Sequence, residues 1–201
     1  MIGIHYRYSY LKFPIQRTLE KYMDRKTVRL ILGKSPHVYR ALKELGPDIG
    51  RGNPFAGFMD FSLTFLAVYL SHDKKIQPSH LGEAMLSIAD SDRSKFAKFD
   101  LSSKAGFNLL VKELEQAAAW KPKKEPDALF HDDFDIRVSH EERKIVIEVN
   151  NSPAENMIRK SGGKKLLPEF DKFDKRMTEN LHGLLTVERS ENSVKYTILA
   201  K

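Results

Sequence analysis

The sequence predicts an α+β domain in which a helical N-terminal half packs on a small antiparallel sheet built from two C-terminal β-hairpins. Three observations carry this. Apolar residues recur at helical spacing up to about residue 120. The period changes to two from Phe134. A third pattern of alternation ends the chain after an intervening helical stretch. The whole reads as one domain over 1–201: a helical half 1–120, a linker 121–126 and a hairpin-helix-hairpin half 127–201.

Pro14 suits a first helical turn, and Ile15, Leu19, Tyr22 and Met23 follow on one face. Ser35-Pro36 reads as an N-cap with proline at the first helical position, and Gly46-Pro47 as that short helix's end. Residues 46–54 hold three Gly and two Pro, which makes them a loop. Phe55 to Leu70 is apolar nearly all round and predicts a central buried helix. Pro78-Ser79 opens another helix, running to about Ala89. Ser102 or Ser103 caps a longer one with Phe107, Leu110, Leu114, Ala117 and Ala118 on a shared face. Lys121-Pro122-Lys123-Lys124-Glu125-Pro126 then breaks the pattern.

Phe134, Ile136 and Val138 alternate with Asp135 and Arg137. After a polar turn over 139–144, Ile145, Ile147 and Val149 alternate with Val146 and Glu148. Asn150-Asn151-Ser152-Pro153 leads to a short helix closed by Ser161-Gly162-Gly163. Pro168 opens a second helix with Phe170, Phe173, Met177, Leu181 and Leu184 on its buried side. Leu185 to Glu188 and Val194 to Leu199 flank the turn of a last hairpin.

Composition bounds the function. The chain has no cysteine, which excludes disulfides, thiolate nucleophiles and cysteine-ligated metals. No run approaches the about 18 apolar residues of a membrane span, and the N-terminus lacks a signal-peptide pattern, so a cytoplasmic protein is expected. The net charge of +7 is spread among mixed signs, which favours a solvated surface over an anionic partner.

Leu32-Gly33-Lys34-Ser35 has the end of a phosphate-binding loop, but Val28 stands where its first glycine belongs. His131-Asp132-Asp133 with Asp135 could supply metal ligands. Consecutive residues of an extended chain point to opposite faces, however, so a solvated turn is the better reading, and neither metal nor cofactor is expected. Arg159-Lys160-Ser161-Gly162-Gly163-Lys164-Lys165 suits an anion, but no aromatics are interleaved, and nucleic acid stays a runner-up.

The sharper signal is polarity where the period demands apolar residues. Asp174 lies four after Phe170 and three before Met177, Asn180 three after Met177, and Asn151 continues the parity of Ile145, Ile147 and Val149. A carboxylate so placed must be paired or bonded, or its pKa rises. The expectation is a polar pocket between hairpin and helix for a small-molecule ligand, with Asp174 as general base or anchor and Asn151 and Asn180 orienting the ligand. The structural alternative has Asp174 capping a loop or pairing with Lys172 or Arg176 at the surface.

In this order the chain resembles the L-2-amino-thiazoline-4-carboxylic acid hydrolase-like family. The resemblance rests on Gly52-Asn53-Pro54 through Phe65-Leu66-Ala67-Val68-Tyr69-Leu70, on Asn151-Ser152-Pro153-Ala154, and on Leu167-Pro168-Glu169-Phe170-Asp171-Lys172-Phe173-Asp174 leading to Leu185-Thr186-Val187-Glu188-Arg189. It implies hydrolytic opening of a cyclic amidine, with water attacking the C=N carbon assisted by a carboxylate or thiol. Family members carry cysteines around the positions of Asn151, Phe170 or Asp171, and Tyr196. All are absent here, and Asp174 is the retained group, so whether the chain is an enzyme stays open at this point. The C-terminal half is also similar to vinyl reductase-type small-molecule-binding domains, which implies a binding or sensor module without turnover. Exposed edges and aromatics are compatible with a homodimer.

Overall fold

The computed structural model describes residues 8–48, 54–72, 75–119, 129 and 133–201, and its architecture is α+β. Six helices come first: α1 (Tyr8–Leu19), α2 (Arg25–Leu45), α3 (Pro54–Ser71), α4 (Pro78–Ser91), the short α5 (Arg93–Phe96) and α6 (Lys104–Ala119). Hairpin β1 (Asp135–Glu141) and β2 (Lys144–Asn150) follows, then α7 (Pro153–Lys160), α8 (Leu167–Asn180) and hairpin β3 (Gly183–Arg189) and β4 (Ser193–Ala200). The expected linker 121–126 lies outside the described residues.

Helix α3 is the axis of the core. Phe61, Leu63, Phe65, Leu66, Ala67 and Val68 are buried on all its sides, as an all-round apolar sequence requires. Phe61 stacks on Phe173 of α8 at 4.6 Å between ring centroids, and Phe65 meets Phe170 edge-on at 6.5 Å. This ties the last third of the chain to its centre.

The four strands form one antiparallel sheet in the order β1-β2-β4-β3. Its inner face buries Ile136, Ile145, Ile147, Val149, Val194, Tyr196 and Ile198. Its outer face carries a row of alternating charge, Arg137 opposite Glu148, Glu148 opposite Lys195 and Lys195 opposite Glu188, which favours this register. The halves are stitched at one corner. The Leu101 amide donates to the Leu181 carbonyl at 2.8 Å, and His182, at a left-handed φ of 59°, sets its Nδ1 2.8 Å from Asp100 Oδ1.

Four local expectations are corrected. Ser35-Pro36 does not start a helix: α2 runs unbroken from an Asp24 cap, with Pro36 inside it. The proline leaves the Leu32 carbonyl without its usual amide donor, and the buried Ser35 hydroxyl approaches that oxygen at 3.5 Å, softening the break. The same continuity puts Gly33-Lys34-Ser35 in mid-helix, where no phosphate loop forms. Tyr22 lies past the end of α1 and is exposed. Leu184 is not on the buried side of α8, because the helix ends at Asn180 and Leu184 falls on the outer sheet face, 49% exposed. The first hairpin's turn shrinks to Glu142-Arg143, with Ser139 and His140 inside β1.

Candidate functional site

The inward parity of β4 places Tyr196 between Val194 and Ile198, and that of β3 places Arg189 beyond Leu185 and Val187. Ser152 caps α7 by accepting the Glu155 amide at 3.4 Å. That cap aims the Glu155 side chain back at the sheet, while Pro168 starts α8 so that Phe170 and Asp174, one turn apart, share a buried face. These elements meet in a cleft lined by Phe58, Val149, Ser152, Glu155, Ile158, Leu167, Phe170, Arg189, Val194 and Tyr196. It encloses about 10 Å³, room for about one water molecule. A ring-sized ligand would have to displace its walls.

Arg189 is the cation that lines this cleft. Its Nε lies 3.1 Å from both carboxylate oxygens of Asp171, its Nη1 donates to Glu155 Oε2, and Glu155 Oε1 accepts from Arg159 Nη2 at 2.6 Å. Burial works against the Arg189 charge, but its hydrogen bond to Asp171 and the surrounding anions outweigh it and raise its pKa. This planar fork bridging two carboxylates is arginine chemistry that lysine cannot reproduce.

Asp174 is 5% exposed, and among the described residues its Oδ2 has no hydrogen-bond partner. Burial pushes its carboxyl up to about 6, with Asp171 adding to the rise and Arg189 opposing it. Burial also raises the Tyr196 phenol, and Asp174 is close enough to raise it further. The proposed surface pairings of Asp174 are not made: Lys172 holds Glu169, and Arg176 holds Asp90 and Glu179. Near Asp174, Glu155 and Asp171 with it make three carboxylates against the two guanidiniums of Arg159 and Arg189.

None of the three expected site residues lines this cleft, although Asp174 lies close enough to its Arg189 and Tyr196 to interact with them. Asn151 adopts a left-handed φ of 49°, which ends the alternation of β2, and its amide donates to the Asp133 carbonyl at 3.0 Å. The alternation does not reach Asn151 because the strand stops at Asn150. Asn180 donates to the Ala89 carbonyl at 3.0 Å and ties the end of α8 to α4. Sequence reasoning missed Glu155, Asp171, Arg189 and Tyr196. The signals available were the inward parity of Arg189 and Tyr196 and the Ser152-to-Glu155 spacing of a capping box.

Of the residues that could have supplied metal ligands, His131 and Asp132 lie outside the described residues, and Asp135 holds Arg137 at 2.8 Å. No cluster of metal-ligating side chains occurs among the described residues. The basic segment has structural uses for its glycines. Gly162 has a φ of 85°, and Gly163 lies so close to Leu66 and Ile158 that a β-carbon would collide. No described helix is long and apolar enough to cross a membrane. Compared with family models, curated proteins and solved structures, the chain matches none.

Proposed function

We propose that the protein is a hydrolase-like domain that binds a small cyclic amidine-type molecule, such as an aminothiazoline carboxylate, at the cleft between α7, α8 and the sheet. The observation that carries this reading is the buried Asp174 carboxyl, whose Oδ2 has no partner among the described residues, in a cluster with one more carboxylate than guanidinium. A protonated amidine offers two N–H donors and a positive charge to these carboxylates, so its binding ionises and satisfies Asp174 together. Arg189 stands ready to share its fork with the ligand's carboxylate, and the apolar walls Phe58, Phe170 and Val194 take the ring.

The family resemblance gains support from convergence. Of the positions where that family carries cysteines, Phe170 and Tyr196 line the cleft and Asp171 holds Arg189, although they are separated by up to 26 residues in sequence, whereas Asn151 lies outside it. Turnover is the second reading, favoured by a carboxyl titrating near neutrality. Asp174 would take a proton from the attacking water and return it to the ring nitrogen as the C–N bond opens.

Calorimetric titration tests binding. Saturable heat is expected with 2-aminothiazoline-4-carboxylate, weakened about tenfold or more in Asp174→Asn, and none with the saturated ring that lacks the C=N bond. Absence of heat with every amidine ring tried up to millimolar concentration refutes the reading. Mass spectrometry of the incubated ligand separates the two activities, since hydrolysis adds one water to it and binding alone leaves it unchanged.

A further inference from the structure

A sheet of order β1-β2-β4-β3 has two edge strands, and a helix packs beside each, α6 by β1 and α8 by β3. The β1 edge is guarded: Asp135, Arg137 and Glu141 charge it, and α6 packs against the strand. Strand β3 carries Glu188 and the inward-facing Arg189 but lacks the other sequence guards of an edge. Its sequence Gly183-Leu-Leu-Thr-Val-Glu-Arg189 contains no lysine and no proline, and it pairs with β4 one to one over all seven residues without a bulge. Among the described residues, none hydrogen-bonds to the outer edge of Leu184 to Glu188.

The strand's side chains are arranged symmetrically about its middle. Thr186 is exposed and central, and on either side of it Leu185 and Val187 face inward yet stay only half-buried, unlike their cross-strand neighbours Ile198 and Tyr196, which are buried. A second strand laid antiparallel on this edge would complete their burial. If that strand is another β3 and the two-fold axis passes through Thr186, all seven residues pair. Leu185 of one copy then meets Val187 of the other, Thr186 meets Thr186, and Glu188 and Arg189 fall against Leu184 and Gly183 rather than against like charges.

We propose that β3 is the self-association edge of this protein, pairing antiparallel with β3 of a second copy about Thr186 to make a continuous eight-stranded sheet. The pairing is isologous and closes after two copies. It stands on the sheet alone and does not depend on what the cleft binds.

The absence of cysteine makes an introduced thiol a unique reporter. In Thr186→Cys the two thiols face each other at cross-strand distance, so mild oxidation is expected to yield a disulfide-linked dimer that reductant reverses. Leu184→Cys, whose residue is also exposed but faces Glu188, is expected to stay uncross-linked. Sedimentation of the unmodified chain should show dimer, with Thr186→Lys raising the dissociation constant about tenfold or more while circular dichroism stays unchanged. Ser139→Lys on the β1 edge should leave it alone. A monomer at about 100 µM, cross-linking at Leu184→Cys in place of Thr186→Cys, or dissociation by Ser139→Lys in place of Thr186→Lys each overturns the proposal.

Discussion

Replacing Asp174 with Asn should make the protein more stable and less able to bind, and both effects have their sizes set by the same carboxyl. In the unfolded chain this group titrates at its ordinary 3.8, and in the folded protein at about 6. Below pH 3.8 both states hold the proton and no penalty exists. As pH rises through the window up to about 6 the unfolded state ionises first, so stability drains away, and above it the full penalty is present. The rise corresponds to about 3 kcal/mol, which for a chain of this length is roughly 6–12 °C in Tm. Asparagine keeps the shape and loses the ionisation. Urea unfolding of both proteins between pH 4 and 8 therefore should give curves that nearly coincide at pH 4 and diverge to this difference by pH 7, with Asp174→Asn the more stable. Parallel curves refute the reasoning about Asp174 burial. Greater stability with unaltered ligand binding leaves the burial argument standing and removes Asp174 from the site.

Three further substitutions probe the scaffold. A β-carbon at Gly82 would collide with Glu169 Oε2 where α4 crosses α8. Gly82→Ala should therefore cost about 1–3 kcal/mol in thermal unfolding, and adding Glu169→Ala should recover part of it. Arg189→Lys should cost about 1–3 kcal/mol, because lysine cannot bridge Asp171 and Glu155 at once. A lysine variant with wild-type denaturation midpoint contradicts the fork argument. Pro36→Ala should add about 1 kcal/mol or more by restoring the amide donor to the Leu32 carbonyl, and removing the Ser35 hydroxyl should then matter less than it does beside proline.

What the sequence could and could not announce follows from the range of the interactions involved. Helix α3 and both hairpins were legible because burial on every side, or on one face only, writes itself into neighbouring residues. Pro36 misled because a serine-proline pair carries the same local signal at a helix start as it does inside a helix whose serine partly replaces the missing donor. Asn151 misled because alternation cannot show where a strand stops, and one left-handed residue turned the expected inward side chain into a loop clasp on Asp133. Asp174 was legible as a charged residue at an apolar position of its own helix. Its surroundings were not: Arg189 reaches Asp171 across 18 residues and Glu155 across 34, and no local spacing encodes a pairing of that length.

The same contrast explains why a cleft with room for about one water is compatible with a ligand site. Its apolar walls come from three layers that the core holds independently: Phe58 on α3, Phe170 on α8 and Val194 on β4. Its polar members are held by one another, through Arg189 as the shared partner of Asp171 on α8 and Glu155 on α7. Anything that draws on Arg189 therefore loosens the tie between the two helices that wall the cleft. A ligand carboxylate competing for that guanidinium both pairs with it and relaxes the closure, whereas a neutral ring meets the closed wall with nothing to release it. Affinity should accordingly fall more steeply on esterifying the ligand's carboxylate in the wild-type protein than in an Asp171→Asn variant, where part of the tie is already gone. Titration of acid and ester against both proteins measures this, and an equal loss in the two refutes the coupling.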